Sequence, residues 1–180
     1  EALRQHPNPR AAGAPVPVEQ LDPTQRTFAD LILTWAAVVL AGGARAARQQ
    51  PELCAVLLGT AGTGKTTTLQ AVLERLRQTG FGGVLVTAYT GVASSNVGGG
   101  ARTLHDLFQL AKGNATSGDL LPLDGKDLEK LAEDLDGLRL LVIDEVSMVS
   151  RTMLADVDTR LKEWRAFKKH PAKGAAFGGG

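Results

Sequence analysis

Leu53-Cys54-Ala55-Val56-Leu57-Leu58-Gly59-Thr60-Ala61-Gly62-Thr63-Gly64-Lys65-Thr66-Thr67 is the stretch that decides the fold class. Leu53 to Leu58, bounded by Pro51 and Gly59, reads as a buried strand. Gly59 to Thr66 satisfies G-x-x-x-x-G-K-[ST], and Leu69, Val72, Leu73 and Leu76 continue at helical spacing as far as Gln78. Strand, glycine-rich loop and helix in that order make a cradle whose backbone N–H groups converge beside the positive end of a helix dipole. Such a cradle suits a chain of phosphates. Gly59, Thr60, Ala61, Gly62, Thr63, Gly64 and Thr67 would wrap it, Lys65 would neutralise the β- and γ-phosphates, and the Thr66 hydroxyl would ligate Mg2+. The competing explanation is a glycine-rich turn that matches by chance; the strand before it and the helix after it weigh against that.

On the N-terminal side, Asp22-Pro23 predicts a helix start, with Asp as N-cap and Pro in the first helical position. Phe28, Leu31, Ile32, Trp35, Val38 and Val39 lie on one helical face, and Gly42-Gly43 is the expected stop. Asp22-x-x-Gln25 has capping-box spacing, so Gln25 either returns to the cap or offers its amide to a base edge. Residues 1–20, with Pro7, Pro9, Pro15 and Pro17, read as an extended leader or linker. The ends, Glu1 and Phe177-Gly178-Gly179-Gly180, read as cuts.

On the C-terminal side, Val84–Ala88 is a second strand candidate, and 103–110 a short helix followed by a polar loop as far as Lys126. Asp127 to Asp136 is a modest helix and Leu138 to Ile143 a third buried strand. Ser150 caps a last helix carrying Leu154, Val157, Leu161 and Trp164 on one side, with Lys162, Arg165, Lys168, Lys169 and Lys173 near its end. Short strands alternating with helices imply the α/β class: a parallel sheet with helices on both faces.

Leu140-Leu141-Val142-Ile143-Asp144-Glu145 delivers two carboxylates at the C-terminal end of a strand, the edge where parallel sheets bind ligands. By itself such a pair is often a helix cap and a solvated neighbour. Beside a phosphate loop, Asp144 suits Mg2+ and Glu145 suits the attacking water. Thr87-Ala88-Tyr89-Thr90-Gly91-Val92 follows a strand end, where a plain turn and a ligand contact explain it equally well. Thr103-Leu104-His105-Asp106 is open in the same way between an N-terminal cap and a contact to a nucleic-acid strand.

Composition sets the outer bounds. With 43% hydrophobic and 22% charged residues the 180-residue chain has enough apolar surface for a core, and a net charge of +1 gives no global basic field. Leu31 to Ala41 is about half a membrane span, so no membrane partner is expected. Cys54, the one cysteine, excludes an internal disulfide, and its apolar flanks predict a buried thiol.

Together these segments resemble the PIF-type DNA helicases (petite integration frequency), in superfamily one and related to the RecD helicases. The matching pieces are Leu21 to Gln25 (the Q motif), Gly59 to Thr66 (motif I), Thr87 to Ala93 (motif Ia), Thr103 to His105 (motif Ib) and Ile143 to Val149 (motif II). Phe177-Gly178-Gly179 looks like the approach to motif III. The resemblance runs from about residue 21 to the end, and the I-D-E-x-S-M-V form of motif II is its most selective part.

The resemblance implies a first RecA-like ATPase domain over 21–180, binding ATP and Mg2+ and moving 5′ to 3′ on single-stranded DNA in repair, recombination and telomere maintenance. It implies that Gln25 reads adenine, that Lys65, Asp144 and Glu145 are catalytic, that Thr66 and Asp144 hold the metal, and that Thr90, Gly91, Thr103 and His105 touch the DNA backbone. A second RecA-like domain would supply an arginine finger, typically worth ~10³–10⁵ in turnover. These 180 residues alone are thus expected to bind nucleotide, hydrolyse it poorly and unwind nothing. The expected setting is intracellular, nucleus or mitochondrion in a eukaryote; oligomeric state is not set by these residues. Tyr89 departs from the family, whose members usually carry Pro there. Two other readings fit less of the sequence: a generic phosphate-loop ATPase switched by a protein partner, and a nucleotide-binding remnant without turnover.

Overall fold

The computed structural model describes residues 15–49, 53–90, 102–110 and 120–168. The chain divides into two compact units at Gly82 and Gly83.

In the N-terminal unit a 3-10 turn, Val18–Gln20, buries Val18 ahead of helix α1, Pro23–Gln49. Asp22 Oδ1 accepts from the N–H groups of Thr24 (2.9 Å) and Gln25 (3.1 Å), and Gln25 Oε1 accepts from the Asp22 N–H at 3.2 Å. That is the capping box its spacing predicts. The buried stripe of α1 is Ala29, Ile32, Ala36 and Val39. It is rotated from the expected face: Leu31 is 49% exposed and Val38 38%. Hydropathy favoured the large side chains, whereas packing used the small ones, which allow a close approach to the neighbouring helix α2, Lys65–Gln78. α1 also runs through Gly42-Gly43 to Gln49; mid-helix glycine costs about 1 kcal/mol, a handicap but no barrier. The end of α2 is as read. Gly80 (φ 74) lets Phe81 N–H reach the Leu76 carbonyl at 2.9 Å and Gly80 N–H the Arg77 carbonyl at 3.1 Å, a Schellman closure.

Residues 53–58 depart from expectation. No strand forms there, Val56 is 57% and Leu58 82% exposed, and Cys54 is an exposed free thiol. An apolar run becomes a parallel strand only by taking ladder bonds from neighbours, and this segment is not one of the three ladder strands.

The C-terminal unit holds a parallel sheet of order β2-β1-β3: β1 Val84–Ala88, β2 Arg102–Thr103 and β3 Leu140–Asp144. Its helices are α3 Leu104–Leu107, α4 Gly125–Asp134 and α5 Arg151–Phe167. α3 is shorter than the expected 103–110, and α4 starts two residues earlier than expected, its first backbone bond running from Leu128 N–H to the Asp124 carbonyl at 2.8 Å. Leu104, Leu107, Phe108, Leu131, Leu135, Val157, Leu161 and Trp164 form the core, and Leu85, Leu141 and Ile143 of the sheet pack against it. Arg160 is fully buried there, its Nε donating to the Phe108 carbonyl (3.1 Å) and its guanidinium paired with Glu163 at 2.8 Å.

Gly83 sets the register of β1 against β3. Its carbonyl accepts from Arg139 N–H (2.8 Å) and Leu140 N–H (3.1 Å), its φ is +77°, and a Cβ there would stand 2.1 Å from the Gly137 carbonyl oxygen. Only glycine fits. Ser150 caps α5 as expected, its Oγ accepting from Met153 N–H at 3.1 Å. Two of the basic residues near the end of α5 are neutralised, Lys162 by Asp158 and Lys168 by Asp136, while Lys169 and Lys173 lie outside the described residues. No helix among the described residues is long and apolar enough to cross a membrane.

Candidate functional site

The phosphate loop is held by its own chemistry. Thr63 Oγ1 donates to the Thr60 carbonyl at 2.8 Å, and Gly62 and Gly64 take φ of +80° and +76°. Lys65 Nζ donates to the Gly59 carbonyl (2.7 Å) and the Thr60 carbonyl (2.8 Å), curling the lysine over the turn. Thr60, Ala61 and Thr66 are exposed and Thr67 is half-buried; the Thr68 hydroxyl ties the first turn of α2 to the Gly64 carbonyl at 3.0 Å.

Gln25 joins this loop. Besides closing the capping box, its Nε2 donates to the Thr63 carbonyl at 3.0 Å. A Cβ on Gly64 would meet that same Nε2 at 2.4 Å. Gly64 thus serves twice: it turns the backbone into the left-handed region, and it leaves room for the amide of a residue far away in sequence. The capping role was legible in the spacing. The bridge to Thr63 was not, because nothing in a sequence marks a contact across 38 positions.

In the C-terminal unit the ladder aligns the other candidates. Ala88 pairs with Asp144 on one side and with Thr103 on the other, so the ends of β2, β1 and β3 share one edge. Asp144 Oδ1 accepts from the Glu145 N–H at 2.8 Å. Glu145 sits in the left-handed region (φ 54°, ψ 39°), a conformation uncommon for a residue other than glycine, shared among the described residues only by Gln109 (φ 52°). It opens a 3-10 turn, Val146–Met148, whose Met148 N–H returns to the Glu145 carbonyl at 2.9 Å. Thr90 Oγ1 donates toward Glu145 Oε2 at 3.4 Å. Tyr89 and His105 meet edge to face with ring centroids 6.0 Å apart; Tyr89, where the family usually has Pro, therefore reaches the neighbouring motif.

Thr103 and Asp106 form the cap that was one of the two readings: Thr103 Oγ1 accepts from Asp106 N–H at 3.1 Å. Arg102 then links Asp106 (2.8 Å) to Asp134 (2.6 Å). The Arg102 guanidinium holds the Asp106 carboxyl below its ordinary range. His105, beside the cap, is exposed. Gly91 lies outside the described residues.

Comparison with known proteins places this arrangement in a family. Residues 41–180 match the PIF1-like helicase family. The chain is 34% identical over 107 residues to a Candida albicans protein named ATP-dependent DNA helicase PIF1, an alignment covering 59% of this chain and 12% of that one. It is 35% identical over 105 residues to the protein of the same name from Trypanosoma brucei brucei, covering 58% and 10%. It is 31% identical over 110 residues to the ATP-dependent DNA helicase dda of phage T4, covering 59% and 24%. Among solved structures, unliganded Pif1 from Bacteroides sp is 34% identical and aligns over 67% of this chain and 24% of that one, with a TM-score of 0.46. The matched region is therefore a small share of each relative, about a tenth of the two PIF1 proteins. The family match covers most of the 180 residues: the chain belongs to the PIF1-like helicase family.

Proposed function

We propose that these residues are the nucleotide-binding part of an ATP-dependent DNA helicase motor, a RecA-like domain that couples ATP hydrolysis to movement on single-stranded DNA. The observation that carries the proposal is the shared edge in the C-terminal unit, where the Thr103–Ala88–Asp144 row sets candidate strand contacts beside the acidic pair. Family membership supports the substrate, and the phosphate loop supports the nucleotide. On binding, Lys65 exchanges the Gly59 and Thr60 carbonyls for phosphate oxygens, a stronger charge-assisted contact. Gln25 has the donor and acceptor an adenine edge needs, at the cost of loosening its bridge to Thr63. The Thr66 hydroxyl in the N-terminal unit and the Asp144 carboxylate in the C-terminal unit are each a hard oxygen donor of the kind Mg2+ takes, and the metal would neutralise phosphate charge. Glu145 orients the attacking water and takes its proton. Thr90, Thr103 and His105, with Gly91 by its place in the sequence, are the residues we assign to the DNA backbone.

The setting we propose is intracellular genome maintenance, covering repair, recombination and telomere upkeep, in the nucleus or mitochondrion if the source is eukaryotic. Movement runs 5′ to 3′, and a second RecA-like domain completes the motor.

The test is ATP turnover by the intact protein with and without oligothymidylate, over a salt series. Stimulation that fades as salt rises is expected, because backbone binding releases counterions. Turnover indifferent to DNA at every salt concentration overturns the helicase reading. Glu145→Gln should lower turnover by about 10²–10⁴-fold while nucleotide binding persists.

A further inference from the structure

Thr90 carries one hydroxyl proton, and the structure directs it at Glu145. The Oγ1 to Oε2 separation of 3.4 Å is longer than the usual 2.5–3.0 Å or so of an O–H···O bond, a contact that a small displacement makes or breaks. Three features give the pair consequence. Thr90 lies two residues past the end of β1 and Glu145 one residue past the end of β3, and those strands are paired at Ala88 and Asp144. The backbone of Glu145 is fixed in the left-handed region and its N–H is held by Asp144 Oδ1, so the carboxylate has few ways to move besides its own side-chain rotations. Tyr89, next to Thr90, is in ring contact with His105, which ties this corner to the other candidate strand contacts.

We infer that Thr90 is a positioning residue that couples strand occupancy to hydrolysis: its hydroxyl restrains the Glu145 carboxylate until a DNA phosphate oxygen accepts that hydrogen bond instead. The inference rests on the helicase reading and adds the route by which DNA reaches the hydrolytic carboxylate. The physical basis is exclusivity. One O–H cannot serve a carboxylate and a phosphodiester at once, so a strand bound at Thr90 frees an acceptor site on Glu145 for the attacking water. Linkage makes the effect reciprocal in binding, so whatever engages Glu145 alters the affinity of the strand at Thr90.

The experiment uses the intact protein with Thr90→Val, which keeps the shape and loses the hydroxyl, Thr90→Ala as a second variant lacking it, and Thr90→Ser, which retains it. The readouts are kcat without DNA, kcat with saturating oligothymidylate, and oligothymidylate affinity by fluorescence anisotropy. Both hydroxyl-less variants should raise DNA-free kcat by about 5-fold or more, the low end of typical coupling, and shrink the stimulation ratio accordingly. Thr90→Ser, which keeps the hydroxyl, should hold DNA-free kcat below that of both hydroxyl-less variants; a rise equal to theirs would overturn the inference. If DNA-free kcat is unchanged or falls in Thr90→Val and Thr90→Ala, the coupling is wrong, even if oligothymidylate affinity weakens; Thr90 is then only a strand contact. A parent protein that oligothymidylate does not stimulate overturns the helicase reading itself, a result visible without any Thr90 variant.

Discussion

Residues 53–58 and 140–144 look alike as sequence, each an apolar run that ends in residues suited to ATP chemistry, yet they are held in different ways. Leu140–Asp144 is a ladder strand whose Leu141 and Ile143 pack against a helical core, and the acidic pair inherits its position from that packing. The run before Gly59 is mostly exposed, with only Leu53 and Leu57 half-buried, and forms no strand; the phosphate loop after it is held by local bonds and by the Gln25 amide. A loop built from glycine torsions and its own carbonyls needs little from its strand. A carboxylate pair has no such internal scaffold and depends on register.

The largest effect that tests this contrast comes from truncating one leucine in each region. Leu131 is completely buried in the core behind β3, and Leu131→Ala should cost about 2–5 kcal/mol in denaturant unfolding. Leu58 is 82% exposed, and Leu58→Ala should fall within about 0.5 kcal/mol of the parent. A comparable loss at Leu58 would break the contrast, because it would mean that this run is packed in solution.

A smaller effect probes how the loop is held. Gly64→Ala forces a Cβ into the left-handed region, at about 1–2 kcal/mol, and against Gln25 Nε2. Nucleotide affinity should fall roughly tenfold, which is about 1.4 kcal/mol. Gln25→Ala forfeits its own contact to the nucleotide but removes the collision, so Gly64→Ala should cost less affinity when added to Gln25→Ala than when added to the parent, with the torsional cost remaining. If the Gly64→Ala effect is the same with and without Gln25, the amide does not brace the loop.

What the sequence made legible follows from how local each signal is. Lys65–Gln78 and Val84–Ala88 were read to the residue, because Gly80 closes the helix and Gly82-Gly83 mark the start of the strand. Ser150 and the Asp22 box were legible for the same reason, since a cap acts within one turn. The face of α1 was misjudged because Ala29 and Ala36 carry little hydropathy, while their smallness is what lets another helix approach. The strand at 53–58 was misjudged because apolar composition says that a run can be buried but not what pairs with it. In the candidate site the residue types were readable from motif spacing. Three of its joins were not: Gln25 to Thr63, Thr90 to Glu145, and Tyr89 to His105 all depend on chain segments meeting from afar.

The smallest expected effect contrasts one surface carboxylate from each unit. Glu74, on α2, is held down to about 2, first by its hydrogen bond from Arg77 and then by that from Gln78. Asp106, beside the Thr103 cap, is lowered chiefly by its hydrogen bond from Arg102. Both are depressed in the folded state, so each contributes stability that is fully present above the ordinary carboxyl values of 4.5 and 3.8 and is lost as pH falls through the folded value. Asp106 is exposed and Glu74 half-buried at the surface, so screening keeps the contribution to stability small and the readout should be site-specific. Carboxyl carbon NMR titration should place the Asp106 midpoint below 3.8, and Arg102→Gln should return it toward that value. The same substitution should leave Glu74 untouched, since its partners lie on its own helix. An Asp106 midpoint that Arg102→Gln does not move would mean that the arginine clamp linking Asp106 to Asp134 does not hold in solution. The Thr103 turn, and with it one end of the Thr103–Ala88–Asp144 row, would then rest on the cap hydrogen bond alone.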